Sequence, residues 1–162
     1  MDEHASAAQT IVETHVWYAA GAGLVPIPFL DMAAIAAIEL KMIKELSEVY
    51  GVDFIEERGK AVVAALMGGV GSGMIANSGT VLTVLKAIPL VGQAIASISM
   101  PIFGGAVTYA AGRVFIQHFA SGGTLLTFDP QKARAFFRDQ YEKGKRVVLR
   151  RPAAAEPQAT PA

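Results

Sequence analysis

Ala61-Val-Val-Ala-Ala-Leu-Met-Gly-Gly-Val-Gly-Ser-Gly-Met-Ile-Ala-Asn-Ser-Gly-Thr-Val-Leu-Thr-Val-Leu85 contains no charged residue. Beyond Lys86 the same holds from Ala87-Ile-Pro-Leu-Val-Gly92 through to Gly112, so runs of 25 and 26 uncharged residues lie back to back. A helix needs about 20 residues to cross a hydrocarbon core of about 30 Å, and each run is long enough. They predict a membrane-inserted helical hairpin over 61–112 with Lys86 at its tip, where the ammonium stays hydrated. Much of their apolarity comes from small residues, which let helix backbones approach closely in lipid. Gly68, Gly69, Gly71 and Gly73 in the first run, and Gly104 and Gly105 in the second, are therefore read as helix-packing positions.

The flanking sequence reads as helix throughout. Residues 1–7 form a polar leader, and Ile11, Val12, Val16, Trp17, Ala19 and Ala20 recur at helical spacing over 8–22. Pro26 and Pro28 break that helix in a turn, because proline lacks a backbone donor and biases its preceding residue away from the helical region. Asp31 is placed as the N-cap of a second helix that ends before Gly51. Its stripe is Ile35, Ile38, Met42, Leu46 and Val49, with Glu39, Lys41, Lys44, Glu45 and Glu48 assigned to wetter positions. Pro89 marks a second proline turn. Asp129-Pro130 opens a last helix with a capping side chain followed by proline at the first helical position. Residues 152–162, rich in Pro and Ala, lack the large apolar surface needed to offset ordering entropy and are expected to be disordered.

The fold expectation is thus an all-α, membrane-associated helical bundle, a single domain over 8–151 around the central glycine-rich hairpin. A weak duplication runs through it: Val25-Pro-Ile-Pro-Phe-Leu-Asp31 is echoed by Ala87-Ile-Pro-Leu-Val-Gly92, and Ile43 to Leu46 before Gly51 by Ile116 to Phe119 before Gly122.

Composition supports a membrane setting. Apolar residues make up 52% of the chain and charged ones 17%, and the mean hydropathy is +0.40. The net charge of zero conceals a polarity: residues 1–60 hold ten Asp/Glu against four Lys/Arg, and residues 113–162 hold nine Lys/Arg against four Asp/Glu. Lys143, Lys145, Arg146, Arg150 and Arg151 suit anionic lipid headgroups, and with no interleaved aromatics nucleic acid is not expected as a partner. Arg58 and Lys60 before the hairpin and Arg113 after it place both termini in the cytosol by the positive-inside rule. Met1 to Ala8 has neither the basic nor the apolar region of a secretory signal.

No catalytic or cofactor chemistry emerges. Cysteine is absent, which removes disulfides, thiolate metal sites and cysteine nucleophiles. The run Gly68-Gly-Val-Gly-Ser-Gly73 lacks the Lys-Ser or Lys-Thr pair of a phosphate loop, and no Asp or Glu follows about 20 residues on. His15 and His118 are isolated, whereas a metal site needs three or four converging ligands. No Gly-x-Ser-x-Gly elbow is present. No metal, no cofactor and no enzymatic activity are expected.

The Val25-Pro-Ile-Pro-Phe-Leu-Asp31 turn leading into Ile38-Glu-Leu-Lys-Met-Ile-Lys-Glu-Leu-Ser-Glu-Val-Tyr-Gly51 resembles the YcjF-type family of uncharacterised bacterial proteins, over roughly Ala8 to Phe119. The resemblance implies a domain of the bacterial inner membrane, found alone or appended to Era-like GTPases, and hence a GTPase as a partner in trans. The leading functional expectation is a non-enzymatic membrane scaffold or adaptor, with homo-oligomers allowed. Two alternatives stand beside it. One is a channel or transport-like oligomer lined by Ser72, Asn77, Gln93 and Ser97; the other is a soluble bundle that binds an apolar ligand or partner.

Overall fold

The computed structural model describes residues 3–24, 30–77 and 89–150, of which 69–77 and 89–99 are described by their backbone alone. Among these residues there are five helices and no strand: α1 (Glu3–Ala22), α2 (Leu30–Val49), α3 (Glu56–Asn77), α4 (Pro89–Ala120) and α5 (Pro130–Arg150). The all-α expectation holds.

α4 is the axis of the bundle, and α1, α2, α3 and α5 all pack on it. α1 runs antiparallel to α4 in a close register: Val12 lies against Gly112, the Ala19 carbonyl against Gly104, and Gly23 against the Met100–Pro101 peptide. A Cβ on Gly23 or Gly104 would stand 2.6 Å from backbone atoms of the other helix, so these contacts require glycine. On the opposite side of α4, Gly144 of α5 lies against the Ala106 backbone in the same manner, and Val148 reaches Gly105. Small residues thus let three helices approach side by side, and Ala106, Val107, Ala110, Ala111 and Phe115 fill the centre with no exposed surface.

The local signals explain the element ends. α2 and α4 stop in the same way. Gly51 and Gly122 take positive φ, 65° and 82°. The Gly51 and Val52 amides donate to the Glu48 and Ser47 carbonyls, and the Gly122 and Gly123 amides to those of Phe119 and His118. Both are Schellman caps, which satisfy carbonyls that the helix end would leave open. α5 starts as its Asp-Pro signal predicts, with the Asp129 carboxylate accepting from the Gln131 amide at 2.9 Å and Pro130 as the first helical residue. Pro101 lies inside α4, which is continuous from Pro89 to Ala120.

The helical hairpin expected over 61–112 is described only in part. Residues 61–77 close α3, residues 89–112 belong to α4, and 78–88 lie outside the described residues. Among the described residues no helix is long and apolar enough to cross a membrane. α3 opens on Glu56, Glu57, Arg58 and Lys60, and its remaining turns are diluted by glycine and serine. Pro26, Pro28 and Arg151, the leader residues 1–2 and the tail 152–162 are likewise outside the described residues.

Candidate functional site

The most unusual group in the interior is Glu39. At four residues beyond Ile35 and three before Met42, it belongs to the face of α2 that enters the core, and it has no exposed surface. Its assignment to a wet position is therefore corrected: residue type suggested water, and helical register decided burial. Burial pushes its carboxyl up to about 8, and the neighbouring Thr108 hydroxyl of α4 opposes that shift only in part. Neither carboxylate oxygen nor the Thr108 hydroxyl completes a well-formed hydrogen bond. A carboxylic acid held neutral in this way carries no charge into the core at neutral pH.

At the neighbouring contact between α1 and α2, His15 of α1 is buried, with Nδ1 2.8 Å from the Ile11 carbonyl. That carbonyl accepts, so Nδ1 carries the proton and Nε2 faces the Glu45 carboxylate at 3.8 Å. Glu45 also lies 3.8 Å from the Lys41 ammonium, which is largely exposed. His118 serves a different purpose. Its Nε2 bonds the Thr124 carbonyl at 2.8 Å, and its ring fills the space that a side chain at Gly123 would need. Among the described residues no group of three or more His, Asp or Glu could hold a metal ion.

Sequence reasoning missed Arg58. From the first turn of α3 its Nε donates to the Leu125 carbonyl at 3.2 Å and its guanidinium to the Phe128 carbonyl at 3.0 Å. One side chain thereby ties α3 to the loop between α4 and α5. In the sequence Arg58 reads only as a basic residue before the first uncharged run, which names no partner. Beside this loop, the two Schellman caps and the segments after them border an open cleft of about 410 Å³, where Tyr50, Asp53, Phe119 and Leu126 meet. Asp53 is its one carboxylate.

The residues singled out for packing, turns and headgroups fall as follows. Gly104 and Gly105 lie at the α1–α4–α5 contact. Gly68 faces open space, and Gly69, Gly71 and Gly73 are on the last turns of α3, where surroundings are not described. α2 begins one residue before Asp31, whose carboxylate accepts from the Met32 amide at 2.7 Å, and Pro89 is the first residue of α4. On α5, Lys143 pairs with Asp139 at 2.8 Å and Lys145 with Glu142 at 2.9 Å. Arg146 and Arg150 are exposed and form no ion pair with another described residue.

Comparison with known proteins adds three findings. The chain is 41% identical over 152 residues to a protein of Magnetospirillum gryphiswaldense named Magnetosome membrane protein 22, covering 91% of this chain and 77% of that one. No solved structure matches it. Residues 1–146, which take in α1 to α4 and most of α5, match the family described as Domain of unknown function (DUF697), and the chain belongs to that family.

Proposed function

We propose that the chain is a non-enzymatic, membrane-associated helical module that acts as a scaffold or adaptor. The observation that carries this reading is its similarity, along nearly its whole length, to a protein named for the magnetosome membrane. The interior supports it: the buried polar groups Glu39, Thr108 and His15 lie between helices, away from the open cleft at the loops, as suits a structural bundle more than a reaction centre. The narrower kinship to YcjF-type proteins belongs to the same proposal, as do the bacterial inner membrane as location, cytosolic termini and a GTPase partner in trans.

Fractionation of cells expressing the full chain tests the reading. Recovery with membranes at physiological salt is the expected result, and recovery in the soluble fraction overturns it. Carbonate extraction then separates the two forms of association: retention marks insertion, and release marks peripheral binding.

A further inference from the structure

The helices alternate in direction. α1, α3 and α5 run toward one end of the bundle, and α2 and α4 start from it. Six large apolar side chains are strongly exposed among the described residues: Tyr18, Leu24, Leu30, Leu126, Val147 and Leu149. Five of them lie toward this one end, on the last turns of α1 and the turn just after it, the first turn of α2 and the last turns of α5, and Leu126 is at the other. The ends meet in space, because Gly105 touches both Val148 and the Ala20 side chain, and Gly104 touches both the Ala19 carbonyl and Ile35. Clustered exposure of this kind marks a contact surface, whereas scattered exposure needs no explanation.

Charge tells what the surface meets. Arg146 and Arg150 project from the same turns of α5 as Val147 and Leu149, while the nearest α5 acids, Asp139 and Glu142, are already paired with Lys143 and Lys145. Asp53, Glu56, Glu57 and Asp129 lie toward the opposite end together with Arg58, Lys60 and Lys132, and at this end the Asp31 carboxylate beside Leu30 is occupied by the Met32 amide. Moreover, α4 continues past Gly23, where α1 ends, by the turns 89–99, which contain no charged residue. A helix of 11 residues rises about 17 Å, so the backbone of α4 extends by about that length beyond its contact with Gly23.

Resting on the membrane-associated reading above, we propose that this end is a docking surface for an anionic phospholipid bilayer: Leu24, Leu30 and Leu149 enter the acyl boundary, and Arg146 and Arg150 pair with headgroup phosphates. Apolar side chains and adjacent cations divide the task as at other interfacial surfaces, where burial of hydrocarbon and attraction to anionic lipid add.

Flotation of the purified full chain with vesicles of phosphatidylcholine alone, or mixed with phosphatidylglycerol, is the test. Binding is expected to favour the anionic vesicles. R146A/R150A should weaken that binding about 25-fold, at about fivefold for each basic group, without changing helical content. L24S/L30S should weaken binding to both vesicle types, and L126S at the far end should leave it unchanged. Equal binding to neutral and anionic vesicles overturns the headgroup assignment, and full binding by both double variants, or equal loss in L126S, overturns the surface. In either case the membrane-associated reading survives, because the wild type still floats; a wild type that floats with neither vesicle sinks both. Dissociation of an oligomer by L24S/L30S with vesicle binding intact would identify the surface as a contact between copies and also overturn the proposal.

Discussion

The carboxyl of Glu39 on α2 and the hydroxyl of Thr108 on α4 face each other in an interior with no exposed surface, and neither finds a well-formed hydrogen bond. In the folded chain Glu39 keeps its proton up to about 8, while the unfolded chain releases it near the ordinary 4.5. Between those values the folded state binds more protons, so stability falls as pH rises through this window. Denaturant midpoints should therefore decline from about pH 5 to about pH 9, and Glu39→Gln should flatten that decline and raise the midpoint at the alkaline end. An unchanged slope in the variant would show that Glu39 does not govern it.

Arg58 holds the loop between α4 and α5 through two carbonyls, and a hydrogen bond to a charged donor is worth about 2 kcal/mol. Arg58→Ala should destabilise the fold by about that much and raise amide exchange in 121–129 selectively. Arg58→Lys should not restore it, because an ammonium lacks the fork that serves two carbonyls at once. Hydrogen exchange resolved by residue checks both.

Two glycines predict opposite outcomes for one substitution. Gly104→Ala would place a methyl 2.6 Å from the Ala19 carbonyl oxygen and force α1 away from α4, at a cost of about 2 kcal/mol. Gly68→Ala meets nothing within 4 Å on α3 and should stabilise by about 0.5–1 kcal/mol, through helix propensity alone. Thermal melts of the pair test whether close approach, and not glycine content, governs this fold.

Gly51 and Gly122 occupy the same left-handed position in two matching caps. Alanine at either should cost about 1–2 kcal/mol, since a Cβ crowds the following carbonyl there, and the two losses should be similar. Asparagine, which tolerates this conformation better, should cost less at both. Urea denaturation of the four variants checks the equivalence.

How much of this was legible in the sequence differs from element to element. Asp129-Pro130 and the glycines after α2 and α4 act through their immediate neighbours, and the structure places the helix boundaries where these signals do. The all-helical class follows from the same local information. Glu39 was assigned to water because an acid is seldom buried, yet its register with Ile35 and Met42 was visible and carried the truth. The long uncharged runs predict two membrane-crossing helices, whereas among the described residues no helix is apolar enough to cross, because glycine, serine and asparagine make absence of charge a weaker property than hydrophobicity.

Composition and short-range pattern by themselves determined the helical class, the glycine stops after α2 and α4 and the Asp-Pro start of α5, because capping and propensity act over a single turn, whereas α1 begins at Glu3 and not at Ala8, and α2 at Leu30 and not after Asp31. Tertiary structure alone decided which glycines touch another backbone, that Arg58 reaches carbonyls 67 and 70 residues away, and that five exposed apolar side chains gather at one end. Those outcomes depend on how α1, α2 and α5 pack around α4, and a packing contact joins residues whose separation along the chain carries no information about their separation in space.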